Sequence, residues 1–465
     1  MIVDLSDLLP ASTLAVGTAA AVLVLLVRHD LVPAGRLVSG SAEGRRWLLG
    51  GTLGIGVIAF ALKTAIIVAV AALPHRTIAP LTAAAHRPER PADAADPAPR
   101  SDALAAPPPG RIWRPLPAVA PAPPDNPTTP EKAALGERLF HDPILSLDRT
   151  VSCASCHDVR TGAGADGRAT GVGVGGAVGR RNVPTVWNAA FQARLFWDGR
   201  AGSLEEQAIG PLFAPDEMAM PSGAVVEARI TADPSYREAF ARAFGDDRPV
   251  TLRRVLQAIA AYERTLVAAD TPYDRFVAGD ADAMTPAQTR GMWLFGTIGC
   301  TICHAGANFS GASLVGPKTP YAALLTDRSE EARRRRLADD KGRARPGEAH
   351  GVWRIPSLRN VALTAPYFHN GRVDDLHEAV RIMATAQLNI TISDDSRLRR
   401  RPVWSPEDRT FSSVDRIVLD RRDIDDLVAF LHALSSDRLA ARVTARPTSG
   451  GAMVTQQVSS SGAQR

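Results

Sequence analysis

The 465-residue chain has only four cysteines, and two short motifs use them all: Cys153-Ala154-Ser155-Cys156-His157 and Cys300-Thr301-Ile302-Cys303-His304. CxxCH is the attachment signature of c-type haem. Each thiol adds across one porphyrin vinyl group, and the adjacent imidazole falls under the iron as proximal ligand. Two copies with no spare cysteine imply two covalently bound haems. A zinc site assembled from both CxxC pairs is the competing reading, and it leaves the two following histidines unexplained.

Other scarcities exclude other classes. The arginine runs at 333–336 and 399–401 have no interleaved aromatics, so a net charge of +5 and a pI near 9.3 imply solvated loops, not nucleic-acid binding. Residues 11–27 contain no charge and would span about 25 Å as a helix. A second apolar stretch, 48–73, is interrupted only by Lys63, which should face a helix partner or snorkel. The residues before the first stretch lack the basic n-region of a signal peptide and carry Asp4 and Asp7 instead. We therefore expect two transmembrane helices. The connecting loop has Arg28, Arg36, Arg45 and Arg46 against Asp30 and Glu43, which places it in the cytoplasm. Residue 74 onward then faces the periplasm from the cytoplasmic membrane, on the side where haem is attached in bacteria.

Residues 74–130 are rich in alanine and proline and read as a semi-extended linker. From 131 the composition is globular, with helical patterns at 131–140, 203–209, 222–244, 251–267, 286–297, 374–386 and 422–435. No alternating strand pattern runs longer than a few residues. The expected fold is mainly α: two tandem cytochrome c-like haem domains, 131–280 and 281–440, behind the anchor at 1–73. Residues 441–465 are expected to be a disordered tail.

The two haem segments also repeat each other. A shift of 172 positions lays 183–208 on 355–380 without a gap: Asn188 falls on Asn360, Gly199-Arg200 on Gly371-Arg372, and Glu206 on Glu378. The second unit holds about 25 extra residues near 326–350. The units diverge where ligands matter, because Met383 falls on Pro211 and His369 on Trp197.

The stretches Leu135–Phe140, Ser152–His157, Arg181–Thr185, Phe196–Arg200, Leu358–His369 and Asp423–Leu434 together resemble the bacterial dihaem cytochrome c peroxidases, a family that includes MauG. The resemblance covers about two thirds of the chain. It implies that the haem on Cys153, Cys156 and His157 is peroxidatic, with Gln207 and Glu217 at the positions of the distal glutamine and glutamate. It implies that the haem on Cys300, Cys303 and His304 transfers electrons with Met383 as distal ligand, and that Trp197 relays electrons between the two. It also places Asn182, Thr364 and Pro366 around a calcium ion. Read bare, Glu217 is a surface acid, Met383 a helix core residue and Trp197 a buried aromatic. Hydrogen peroxide is the implied substrate. A small cytochrome c, a cupredoxin or quinol is the implied donor, and a homodimer the implied assembly. His141, His350, His377 and His432 are given no role.

The pattern breaks at one point. Where many relatives keep a distal histidine on the peroxidatic haem, this chain reads Gly171-Val172-Gly173-Val174-Gly175-Gly176, with Val174 at the place. No histidine occurs between His157 and His304. The first iron is therefore expected to be open on its distal side, with Met218 or Met220 as the residues that would close it otherwise. MauG also has an open resting haem but carries tyrosine where Met383 stands. This leaves three functions: peroxide reduction, MauG-like oxidation of a protein or organic substrate, and non-catalytic electron carriage.

Overall fold

The computed structural model describes residues 112–316, 319–398, 404–405, 410–411 and 417–444. The stretches read as transmembrane, 11–27 and 48–73, lie outside the described residues, as do 74–111 of the linker and the tail from 445. Among the described residues no helix is long and apolar enough to cross a membrane.

The first haem unit comprises α1 (Pro130–His141), α2 (Cys153–Cys156), α3 (Leu204–Phe213), α4 (Gly223–Ala232), α5 (Pro234–Phe244) and α6 (Leu252–Glu263). The second comprises α7 (Pro272–Val277), α8 (Pro286–Thr297), α9 (Glu330–Arg334), α10 (Leu376–Ile382) and α11 (Arg421–Ala433). A last helix, α12 (Asp437–Thr444), follows. The single helix expected over 222–244 is two: Asp233 caps a new start, and Pro234 takes its first position, where a missing N–H costs nothing. Strands are short, as expected. The longest pair, β1 (Tyr321–Leu324) and β2 (Gly351–Arg354), is antiparallel.

Each unit closes by packing its opening helix on its closing one, α1 on α6 and α8 on α11. Both crossings rely on glycine. A Cβ at Gly136 would lie 1.9 Å from Ala258 O, and one at Gly291 would lie 1.8 Å from Asp426 O. The first core gathers Leu139, Phe140, Tyr236 and Phe240. The second gathers Tyr273, Phe295, Phe309 and Phe430. Its rings meet edge to face, at 4.9 Å for Tyr273–Phe309 and 5.3 Å for Phe295–Phe430.

The repeat extends to backbone detail. Asn188 and Asn360 both sit at φ 62°, and Phe196 and Phe368 at 65° and 64°. The bridge Leu195–Ala201 recurs as Tyr367–Val373. The halves then meet through one contact made twice. Asn182 N donates to His369 O (2.8 Å), and Arg354 N donates to Trp197 O (2.9 Å). Asn182 and Arg354 are equivalent under the 172-residue shift, and so are Trp197 and His369. The pairing is therefore isologous, like a two-fold dimer interface within one chain.

The end of the expected linker is not a free tether. Trp113 packs on Tyr273 and Phe430 of the second core (ring centroids 6.4 and 6.2 Å). Leu116 N donates to Asp274 Oδ1 (2.9 Å), and Asn126 Nδ2 donates to Glu205 Oε1 (2.8 Å). Leu116 and Ala120 are buried between the halves in a third apolar cluster. The prolines here supply extended backbone with few donors, and the apolar side chains between them find a surface to cover. The C-terminal boundary moves as well: Leu439, buried, holds α12 past residue 440. The arginine-rich insertion is not simply a solvated loop, since Arg335 pairs with Glu378 (2.7 Å) and Arg181 reaches Asp340 (2.7 Å).

Candidate haem sites and the crossing between them

In the first CxxCH, Ser152 N donates to Ser155 Oγ (3.0 Å), which fixes the one-turn helix α2 and sets both thiols on adjacent turns of backbone. His157 Nδ1 lies 3.3 Å from Gly164 O. A histidine whose Nδ1 donates to a carbonyl presents Nε2 to a metal. Burial lowers the His157 pKa, keeping the ring neutral as a ligand must be, and pushes the Cys153 thiol up to about 12.

The second site repeats this design. His304 Nδ1 lies 3.1 Å from Phe309 O, and burial lowers its pKa and pushes the Cys300 thiol up to about 12. Among the described residues no three His, Cys, Asp or Glu side chains form a metal cluster. The four thiols are thus not gathered into one site, and each motif, with neutral imidazole and paired protonated thiols, fits a covalently held haem.

Around the first site, the glycine-rich loop joins the attachment motif to the candidate acid. Val172 O stands 4.0 Å from Cys156 Sγ, and Val174 N donates to Glu217 O (2.9 Å). Gly173 permits this: a Cβ there would lie 2.3 Å from Asp216 O and 2.4 Å from Glu217 O. Glu217 is exposed, yet the surrounding protein raises its pKa by desolvation first and by Asp216 second, against Arg200. Gln207 is half-buried on α3, a helix capped by Ser203. Met218 and Met220 are core residues, and the Met220 sulfur accepts from Arg229 Nη1 (3.6 Å), so it is engaged away from a ligand role. Around the second site, Met383 opens a π-helical turn, Met383–Gln387, directly after α10 and packs against the second core. Single π-turns concentrate at functional positions.

Of the residues assigned to calcium, Asn182 lies on the seam between halves. Asn182 is 9 % exposed, and its Nδ2 donates to Arg168 O (3.0 Å) and Ala169 O (3.4 Å). Thr364 Oγ1 donates to Val361 O (3.2 Å), and Pro366 follows two residues on. No carboxylate joins them in a described metal cluster.

Trp197 crosses the seam. It belongs to the first half, its Nε1 donates to Asn182 O (2.8 Å), and its ring packs on the second core. Its ring centroid is 6.4 Å from that of His369, which stacks on Trp353 at 3.9 Å and 16°. Arg181 completes the group, 5.1 Å above Trp353 and paired with Asp198 (2.8 Å). Sequence reading gave a role here only to Trp197 and marked His369 as its repeat equivalent. The signal for the others was the repeat, which lays Arg181 on Trp353 as it lays Trp197 on His369.

Comparison with known proteins agrees with this geometry. The family model described as di-haem cytochrome c peroxidase matches residues 130–282. The cytochrome c peroxidase Ccp of Escherichia coli (strain K12) is 37 % identical over 319 residues, 68 % of this chain and 61 % of that protein, so this chain spans about three fifths of that relative. The cytochrome c551 peroxidase of Pseudomonas aeruginosa is 38 % identical over 70 % of this chain and 84 % of its own length. The methylamine utilization protein MauG of Methylorubrum extorquens is also 38 % identical, over the same shares. Among solved structures, a MauG-like protein associated with microbial copper homeostasis superposes with TM-score 0.56 at 30 % identity, covering 72 % of this chain and 97 % of that one. With two haem-attachment motifs in a duplicated helical fold and relatives of this similarity, the chain belongs to the di-haem cytochrome c peroxidase family, the family that also holds MauG.

Proposed function

We propose that this protein reduces hydrogen peroxide to water, with two electrons and two protons consumed per peroxide and two waters released. Cys153, Cys156 and His157 would hold the peroxidatic haem, and Cys300, Cys303, His304 and Met383 the electron-transfer haem. The bound haem supplies the redox-active iron at which the O–O bond is cleaved. Glu217 carries a proton from one peroxide oxygen to the other, so that water is the leaving group. Gln207 orients the peroxide by hydrogen bonding, and Trp197 passes electrons across the seam. His157 and His304 would hold the two haems alike, and Met383, which has no counterpart in the first unit, would set the irons apart, since a thioether raises the potential of the haem that accepts electrons.

One observation carries the reading: the loop that passes beside Cys156 and whose residue 174 bonds through its main-chain N–H to Glu217 O has valine there and carries no histidine. The first haem is therefore accessible to peroxide without prior reduction. Electron paramagnetic resonance of the oxidised holoprotein tests this. One high-spin and one low-spin ferric signal is expected; two low-spin signals would refute it. Peroxide consumption with a reduced cytochrome separates an enzyme from a carrier.

The same open site supports a second reading, MauG-like oxidation of a protein or organic substrate, against which Met383 argues. A radical or crosslinked product on a partner would select it. A small cytochrome c is the favoured donor, in keeping with the Pseudomonas relative named for cytochrome c551; a cupredoxin or quinol is the alternative. The periplasmic face of the cytoplasmic membrane is the proposed location, with anchoring by 11–27 and 48–73. A calcium ion at Asn182, Thr364 and Pro366 and a homodimer complete the proposal.

A further inference from the structure

At the seam between halves, His369 is 2 % exposed, and its Nε2 is buried with no hydrogen-bond partner. A buried polar atom left in this state calls for a partner that the polypeptide does not provide. Its surroundings narrow the choice. One face of the imidazole is covered by Trp353 and its edge meets Trp197. The main chain on either side is fixed, because His369 O accepts from Asn182 N (2.8 Å). Trp353 Nε1 is also unpartnered, but a Cβ at Gly351 would lie 2.8 Å from it, so that nitrogen faces the hairpin. The charged groups acting on the His369 ring are Asp340 and Arg181, which are bonded to each other. His369 thus has a satisfied charge pair on one side and an unanswered ring nitrogen on the other.

The repeat indicates where that nitrogen is directed. His369 stands at the position Trp197 holds in the first half, and Trp197 reaches out of its own unit onto the core of the other. Trp197 spends its N–H on Asn182 O, whereas His369 makes no such bond to the equivalent residue, Arg354. Its donor is therefore free for a group brought in by a cofactor. A c-type haem carries two carboxylates, its propionates, and burying one needs a nearby donor.

We propose that His369, with its proton on Nε2, donates a hydrogen bond to a haem propionate at the crossing between the two haems and so holds that haem's reduction potential up. Stabilising the propionate's charge removes a field that favours ferric over ferrous iron. His369 is a positioning residue for cofactor electrostatics. This inference rests on haem attachment but not on peroxide turnover, so it survives or fails independently of the proposed reaction.

Two variants of the full-length, haem-loaded protein test it by potentiometric titration of both haems. His369→Phe keeps a stacking ring and removes the donor; one midpoint should fall by about 59 mV, a tenfold shift in the ferric/ferrous ratio. His369→Gln keeps an amide donor without the ring and should restore most of that shift. A fall in His369→Gln but not in His369→Phe, or no shift in either, overturns the proposal. If the variants do not take up haem, a crystal structure of the unsubstituted holoprotein decides: Nε2 within about 3.2 Å of a propionate oxygen supports it, and Nε2 bonded to water or protein instead overturns it.

Discussion

The two haem units share a backbone and differ in what they place on it. Under the 172-residue shift, Gln207 becomes Ala379, Pro211 becomes Met383, Trp197 becomes His369, and Trp187 becomes Arg359. The attachment turn, the Nδ1-to-carbonyl bond of the histidine and the glycine at the helix crossing are kept in both. The attachment motif and its scaffold are thus duplicated, while the residues proposed for the distal sides of the two haems have diverged. The lesson is that a scaffold built on backbone hydrogen bonds tolerates wide side-chain change, and the division of labour resides in a few positions around it.

The sharpest break of this comparison is Glu217→Gln. Peroxide turnover should fall by about 10²–10⁴, the range for loss of a general acid–base group. The second haem's spectrum should not change. Because desolvation raises the Glu217 pKa, the unsubstituted protein should lose activity on the acid side at a pH above the ordinary glutamate range, as the carboxylate is protonated. The pH–rate profiles of both proteins check this.

Next in size is Asp274→Ala. Arg359, 1 % exposed, is held by Asp274 through two bonds (2.7 and 2.8 Å), a buried pair found only in the second unit's half of the alignment. Removing the carboxylate leaves an uncompensated guanidinium and should cost about 3–5 kcal/mol. Thermal unfolding should show the loss, with the absorbance of the second haem, which stays covalently attached, changing first. Gly136→Ala and Gly291→Ala probe the shared scaffold and should each cost about 1–3 kcal/mol by overpacking. Unequal costs, measured by denaturant unfolding, would show that one crossing can relax and the other cannot.

An effect that shows only as pH is varied concerns Glu263, buried at the end of α6, whose pKa burial raises to about 8, with Arg264 opposing and Glu205 adding. The folded protein then holds a proton that the unfolded chain has released. Stability from this group is therefore full below the ordinary glutamate pKa and declines as pH rises toward 8, by at most about 1.4 kcal/mol per pH unit. Glu263→Gln should flatten that decline, which stability curves at several pH values would reveal.

Much of this was legible in sequence because the signals were local. CxxCH, the helical patterning at 286–297 and an ungapped internal repeat all depend on residues close in the chain. What escaped depended on long-range contact. Trp113, Leu116 and Asn126 look like linker residues until a surface some 80 to 160 residues away receives them. Arg335 reads as one of a solvated run until Glu378 faces it. The group of Arg181, Trp197, Trp353 and His369 was visible only as an alignment of repeat positions, without any sign that its three rings and one charge meet.

The sequence by itself determined that two haems are attached, that the chain is duplicated and mainly helical, and that the glycine-rich loop of the first domain carries no histidine, since attachment chemistry and residue identity are written in the order of the chain. Only the tertiary structure decided that Val174 lies against Glu217, that Trp197 and His369 face each other across an isologous seam, and that one imidazole there is left wanting an acceptor. Such facts depend on which buried groups find partners once distant segments pack, and spacing along a chain does not carry that information.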